Sequence, residues 1–187
     1  MKKLISISLM ILFLWISVYA DEKFMVTAAG SFLMPSDKNY KEIYGKGKFY
    51  PEIKAGYKIY RDFYIWAGYG FFSARGTTIP TLNEEAESSQ NFLSLGAGYS
   101  KKITNRLEYK LELGAFSVSY KEEAMEEKVT GSALGFRLEG GIVFDLIKTF
   151  FAEMTIGYLK ASDTVEGISI KLGGFKIGIG FGVRIKF

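Results

Sequence analysis

The sequence of 187 residues contains no cysteine and no histidine. Disulfides, thiolate or imidazole metal ligands, and serine–histidine or cysteine–histidine catalytic sites all need one of these residue types. Glu108 and Glu112 are about 13 Å apart along a strand at roughly 3.3 Å per residue. That separation is too large for paired-carboxylate catalysis. We therefore expect no enzyme, no cofactor and no metal site.

Proline is scarce as well, at three residues, whereas glycine (21 residues) and aromatic residues (16%) are abundant. This composition differs from that of a disordered chain and favours one folded, strand-rich domain. Charge is nearly balanced, with 24 Lys and Arg against 20 Asp and Glu. The balance gives no reason to expect a nucleic-acid partner.

The N-terminus has the organisation of an export signal. Two lysines precede an apolar run over residues 4–19, and Ala20 is followed at once by charged residues. The run is shorter than the roughly 20 residues that a membrane-spanning helix needs. We interpret residues 1–20 as a cleaved signal peptide, with an uncleaved anchor as the alternative, and residues 21–187 as the mature domain.

The mature chain alternates apolar and polar residues with a period of two, and no segment shows a convincing helical period. In residues 175–187 every odd position is apolar and every even position is Gly, Lys or Arg. Residues 49–59 and 106–116 alternate in a similar way. The pattern predicts eight strands, near residues 23–34, 48–60, 62–74, 91–102, 106–120, 131–145, 149–161 and 168–187.

The connections between these strands alternate in length. Tight turns fall near residues 61, 105 and 147, and the other connections are longer and polar. An even strand number with short turns at one end is typical of an all-β, eight-stranded antiparallel up-and-down transmembrane β-barrel. The longer connections are predicted at residues 35–47, 75–90, 121–130 and 162–167.

Alternation does not by itself say which face points inward. A soluble periplasmic barrel would enclose an apolar-ligand cavity, whereas a membrane barrel presents its apolar face to lipid. Small residues on the polar face of the last strand, aromatic residues near the first tight turn, and the final Phe187 favour the membrane barrel. The soluble alternative would line its cavity with Leu107, Leu111, Ile177 and Phe181. The aromatic residues near the first tight turn, which favour the membrane barrel, are Tyr57, Tyr60, Phe63 and Tyr64.

The segment Leu172-Gly173-Gly174-Phe175 and the alternating strand after it resemble the small eight-stranded outer-membrane barrels of the opacity and A-type superfamily. The resemblance implies a bacterial outer-membrane location, with outer-membrane lipid and lipopolysaccharide as surroundings. It also implies that the last strand is the signal read by the β-barrel assembly machinery. The residues that would carry that signal are Phe181, Val183, Ile185 and Phe187.

The same alternation directs a set of charged side chains into the lumen, which in an eight-stranded barrel is only wide enough for side chains. We interpret the set as an ion-paired plug. The alternative is a gate in which pairs such as Glu112 with Arg137, or Glu153 with Lys176, exchange partners. The predicted lumen residues are Glu52, Lys54, Lys58, Glu108, Lys110, Glu112, Arg137, Glu139, Glu153, Lys176, Arg184 and Lys186.

The long connections carry charges of both signs. The acidic clusters of the second and third suit solvated tips, with calcium binding as the alternative. The first mixes lysines with aromatic residues, which suits either lipopolysaccharide phosphates or a merely soluble loop. The acids are Glu84, Glu85, Glu87, Glu122, Glu123, Glu126 and Glu127; the first connection holds Lys38, Lys41, Lys46, Lys48, Tyr40, Tyr44 and Phe49.

Taken together, these patterns predict an integral outer-membrane protein with a mostly closed, charged lumen. The expected role is structural, in envelope integrity, or interactive, through a surface partner bound by the loops. A narrow ion or small-solute channel is the second hypothesis, and the soluble barrel is the third.

Overall fold

A computed structural model describes residues 24–77, 85–124, 127–165 and 167–185. The predicted signal peptide (residues 1–20), Glu84, Glu126, Lys186 and Phe187 lie outside these ranges. Those predictions are untested by the structure.

The described chain forms one closed barrel of eight antiparallel strands. Each strand pairs with the next along the chain, and β8 pairs with β1 from Phe24–Ile185 to Pro35–Gly174. The predicted fold class is therefore confirmed. The strands are β1 (Phe24–Pro35), β2 (Lys48–Tyr60), β3 (Phe63–Thr77), β4 (Glu85–Lys102), β5 (Leu107–Ala124), β6 (Glu127–Asp145), β7 (Phe150–Val165) and β8 (Ile168–Ile185).

Strands β3 to β7 run further than predicted at the end of the barrel that carries the long connections. Ser73, Arg75 and Thr77, for example, continue the outward face of β3, and Glu85 and Glu87 continue that of β4. Here polar residues replace the apolar ones, so the pattern used to detect a strand is lost although the backbone ladder continues. The predicted connections 75–90, 121–130 and 162–167 are consequently much shorter than expected.

The first long connection contains a short helix, α1 (Lys38–Tyr44), which the sequence analysis missed. Asp37 caps it, because its side chain accepts a hydrogen bond from the Tyr40 N–H at 3.1 Å. Seven residues are too few for a helical period to stand out from the sequence. No helix in the described ranges is long and apolar enough to cross a membrane.

The outer face of the barrel is apolar. Leu111, Ile177 and Phe181 are 54%, 47% and 63% exposed, while their strand neighbours point into the lumen. Leu107 is half-buried and lies four residues before Leu111, on the same face of β5. The alternative of a soluble barrel with these side chains lining a cavity is therefore wrong.

Aromatic residues form two rings on this apolar face. Five strands carry outward aromatic residues spaced by eight positions, about 26 Å along a strand and roughly 20 Å along the barrel axis at a 40° tilt. This height is close to the apolar band of membrane barrels. Tyr64, predicted among the aromatic residues of the first turn, instead points inward and is 2% exposed. The spaced pairs are Phe24 and Phe32, Phe49 and Tyr57, Phe63 and Phe71, Phe136 and Phe144, and Phe150 and Tyr158.

Glycines on the inner wall make room for large side chains of neighbouring strands. A Cβ placed on Gly98 would lie 2.2 Å from the Tyr64 ring, and one on Gly182 would lie 2.2 Å from the Phe151 ring. Because each ring or its strand would have to shift to make room, these positions disfavour any side chain. The abundance of glycine is thus explained by close approach between neighbouring strands.

We predict that Gly98→Ala lowers the free energy of unfolding by about 1–3 kcal/mol, because the added methyl group overpacks the lumen. Gly140→Ala is the matched control, since its Cβ would meet its nearest atom, on Leu111, at 3.5 Å. Urea unfolding in lipid vesicles measures both. Equal stability of the two variants would contradict the packing argument.

Candidate functional site

The lumen is the candidate site, because the inward positions of all eight strands converge there. Ten of the twelve predicted lumen charges are buried, at 1–7% exposure. They comprise five acids and five bases, so the described lumen is charge-balanced. The acids are Glu52, Glu108, Glu112, Glu139 and Glu153, and the bases are Lys54, Lys110, Arg137, Lys176 and Arg184.

The other two predicted residues stand apart from this group. Lys58 is half-buried near the end of β2 and forms no ion pair with the described residues. Lys186 lies outside the described ranges.

Two glutamates face each other across the ladder between β5 and β6. Glu112 is directly opposite Glu139 in the register, an arrangement that is repulsive by itself. Lys54 reaches across the lumen from β2 and lies 2.7 Å from Glu112 Oε2 and 2.8 Å from Glu139 Oε1. One lysine therefore bridges a pair of like charges that the fold brings together.

Glu52 and Glu139 share two further bases in the middle of the barrel. Lys176 Nζ lies 2.7 Å from Glu52 and 2.6 Å from Glu139. Arg137 donates to Glu52 through both terminal nitrogens and to Glu139 at 2.8 Å. Sharing of this kind satisfies the several lone pairs of each carboxylate, which a single buried pair would leave unsatisfied.

The network continues toward the short-turn end through Lys110. Its Nζ lies 3.6 Å from Glu112 and 2.7 Å from Glu153. Tyr64 donates a hydrogen bond of 2.9 Å to Glu112. At the short-turn mouth Arg184 pairs with Glu108 at 3.2 Å and also with Asp145.

The predicted pairs Glu112 with Arg137 and Glu153 with Lys176 are wrong. They were chosen from adjacent strands, but Arg137 lies opposite Gly114 and Glu153 lies opposite Gly180. The bases instead pair mainly with acids of other strands across the closed ring. The sequence alone does not predict these pairs, because alternation shows which side chains point inward but not which strands face each other across the closed ring.

Aromatic rings support several of the buried cations. The Arg137 guanidinium lies 4.8 Å from the Trp66 ring centroid, and Arg184 lies 4.8 Å from that of Phe151. Near Lys110 and Glu153 a cavity of about 20 Å³ remains, room for roughly one water molecule. In the described ranges the charged part of the lumen is therefore largely filled by its paired side chains.

An apolar layer that the sequence analysis missed fills the lumen between this network and the long connections. The rings of Phe72 and Phe92 stack at 5.9 Å, and Phe92 packs against Phe116 at 5.5 Å. These aromatic residues occupy inward positions, where the alternation predicts polar residues. The layer also includes Leu33, Tyr50, Val118 and Leu159, all essentially unexposed.

Helix α1 covers this layer as a lid. Tyr40 and Tyr44 point into the mouth and are 8% and 5% exposed, and the Tyr40 ring lies edge-on to Phe72 at 6.4 Å. Burial raises the pKa of Tyr40 to about 12. These tyrosines are therefore unavailable to the lipopolysaccharide contact considered for this segment.

The lid is tied to the last strand. Asp37 accepts a hydrogen bond of 3.1 Å from the Lys171 N–H, and the Ser36 N–H donates to the Gly173 carbonyl at 3.0 Å. Gly173 and the next residue, Gly174, have φ of 89° and 157°, which bend β8 where it receives these contacts. The connection between β1 and β2 is thus fixed to β8.

The predicted assembly residues lie on the seam that closes the barrel. Phe181 pairs with Ala28, Val183 with Val26 and Ile185 with Phe24. Their role in assembly remains a prediction, and Phe187 lies outside the described ranges.

The acids predicted in loops lie largely on strands. Glu85 and Glu87 belong to β4, Glu122 and Glu123 to β5, and Glu127 begins β6. Arg75 pairs with Glu87, and Lys121 pairs with Glu123, each at 2.6 Å. The described ranges contain no group of three or more acids arranged to hold a metal ion.

No family model and no curated protein matches the chain. Solved structures do match, at low identity. OprG of Pseudomonas aeruginosa has a TM-score of 0.70 and 14% identity, over 90% of this chain and 98% of OprG. Neisserial surface protein A (NspA) gives 0.62 and 13%, over 87% and 96% of the two chains. Ail of Yersinia pestis, in complex with the heparin analogue sucrose octasulfate, gives 0.53 and 14%, over 87% and 97%.

This chain therefore has the fold of the small eight-stranded outer-membrane β-barrels, as the sequence resemblance implies. A fold of this kind does not specify an activity.

We predict that Lys54→Met lowers the free energy of unfolding by about 3–5 kcal/mol, because it leaves two facing carboxylates without their shared cation. Lys58→Met, on the same strand and outside the network, is the control and should change stability little. The double variant Lys54→Met/Glu112→Gln should recover part of the loss. Urea titration in vesicles measures all three, and a Lys54→Met protein as stable as Lys58→Met would refute the assignment.

Proposed function

We propose that this protein is an integral protein of the bacterial outer membrane with a closed lumen and a structural or surface-interaction role. The observation that carries the proposal is that the apolar residues lie on the outside of the barrel and the charged residues inside, the reverse of a water-soluble protein. An apolar band between two aromatic rings surrounds an interior of paired charges. Such a molecule exposes too much apolar surface for water and suits a bilayer.

The orientation follows from the connections. Membrane barrels of this kind have short turns in the periplasm and longer connections outside the cell. We therefore place the turns after β2, β4 and β6 in the periplasm, and α1 at the cell surface. Outer-membrane lipid and lipopolysaccharide are then the surroundings, and the β-barrel assembly machinery is the partner during biogenesis.

Two features support a surface role. Beyond the pairs Glu52–Gly70 and Gly135–Ala161, strands β3 to β6 pair only among themselves in the described ranges. They form a polar wall that rises above the apolar band and beside the lid. NspA is named as a surface protein, and Ail as an attachment invasion locus protein; a surface partner for this chain is proposed by analogy with them.

A closed lumen also argues against the channel hypothesis. A solute would have to cross the aromatic layer under α1 and then the shared ion pairs of Glu52 and Glu139. Separating these pairs without replacing their partners costs several kcal/mol. We therefore do not propose conductance.

Gel mobility with and without boiling, read beside fractionation of the envelope, tests the membrane barrel. Heat-modifiable migration in the outer-membrane fraction is the expected result. A soluble periplasmic protein with unchanged mobility would overturn it.

Thiol labelling tests closure, because the chain has no native cysteine. Ser94 and Ser31 are 1% and 2% exposed, whereas Ser119 is exposed on the outer wall. A charged thiol reagent should modify Ser119→Cys readily, and Ser94→Cys and Ser31→Cys only after unfolding. Rapid labelling of the lumen cysteines, together with single-channel conductance of the wild-type protein, would establish the channel instead.

A further inference from the structure

The three short turns carry a ring of exposed bases, which we call the basic collar: Arg61, Lys101, Lys102, Arg106 and Lys148. The acids of the same described turns are Asp62 and Asp145, both half-buried. Asp145 already pairs with Arg184 from the lumen, and Lys102 approaches it only to 3.8 Å. The collar therefore has a net positive charge that the described chain does not neutralise.

Exposed aliphatic side chains lie among these bases. Ile103, Leu146 and Ile147 are 58%, 48% and 62% exposed, although each lies in a turn beyond the ends of the strands. Exposure of three aliphatic side chains to water is unfavourable. Contact with the edge of a bilayer would cover them. Bases beside aliphatic residues are the pattern of a surface that lies at a lipid interface.

The collar also borders the aromatic ring that lies nearer the short turns. Phe63 contacts Tyr99 at a centroid distance of 5.0 Å, and Tyr99 contacts Tyr109 at 5.9 Å. Phe63 follows the turn of Arg61 by two residues, and Tyr99 precedes Lys101 by two. Aromatic belts of this kind mark the level of the headgroups. The collar bases therefore lie within side-chain reach of phosphate groups.

The opposite end of the barrel differs in charge. Its bases are interspersed with acids, and some are paired with them, as Arg75 is with Glu87 and Lys121 with Glu123. A uniform need for solubility would charge both ends alike. The asymmetry points to an anionic partner at the short-turn end alone.

We infer that the basic collar binds the anionic headgroups of phospholipids in the periplasmic leaflet of the membrane. The inference rests on the membrane orientation proposed above. Lipid is favoured over an anionic polymer of the periplasm because bases of two turns adjoin aliphatic residues that a polar polymer would leave exposed. Phosphate contacts of the lysines and arginines would hold the periplasmic rim at a fixed depth.

The test uses the mature chain in vesicles of phosphatidylethanolamine with phosphatidylglycerol, followed by native mass spectrometry of the lipids retained. The collar variant is Lys101→Gln/Arg106→Gln/Lys148→Gln. The matched control removes three exposed bases at the other end, Lys38, Lys46 and Lys128, by the same change. We expect wild type and control to enrich phosphatidylglycerol about fivefold over the vesicle composition, and the collar variant to show almost no enrichment. Added salt should weaken the enrichment.

Three results would overturn the inference: enrichment unchanged in the collar variant, enrichment lost equally in the control, or collar-dependent binding to isolated peptidoglycan without phosphatidylglycerol enrichment. Heat-modifiable migration of each variant in the same vesicles separates this question from the membrane proposal. If the triple variant does not fold, Arg61→Gln/Lys148→Gln supplies the same comparison. A folded barrel without lipid preference refutes the collar only, whereas a wild-type chain that never becomes heat-modifiable refutes the membrane barrel.

Discussion

The contact of Lys54 with both Glu112 and Glu139 is the interaction on which the interior depends. The register of β5 and β6 sets those two carboxylates face to face, and a buried pair of like charges opposes closure of the ring. A cation from β2, on the far side, lies between the two carboxylates, offsets part of their repulsion and ties three strands together. Every other buried base of the described lumen is arranged around this junction or continues from it toward a mouth.

The packing of the wall is the second condition for closure. Tyr64 packs close to Gly98 and Phe151 packs close to Gly182, so these large rings occupy space along the wall that a side chain at the glycine would fill. The glycines that make this possible contribute only their backbone to the wall. The narrowness of an eight-stranded ring therefore explains both the high glycine content and the close packing of the wall.

Strand number, strand face and lumen polarity follow from local pattern, because side-chain direction alternates with period two in any strand. This is why Arg137 and Glu139 can be assigned to the interior from the sequence. Their partners cannot, since Lys176 and Glu52 come from other parts of the ring and their proximity depends on closure and tilt. The polar ends of β3 to β7 escape detection because polar residues replace the apolar ones on their outward face, although inward residues such as Ala74 and Ala86 stay buried. Phe92 and Phe116 also escape detection, because a single apolar residue on the polar face of a strand does not by itself indicate a buried apolar layer.

The attachment of α1 to β8 has a consequence for the order of folding. The lid is encoded between the first two strands, yet Asp37 and Ser36 bind backbone groups of Lys171 and Gly173 near the other end of the chain. Those groups are in place only once β8 has paired with β1. The mouth under α1 can therefore close only after the ring of strands has closed, and until then the aromatic layer beneath it is uncovered.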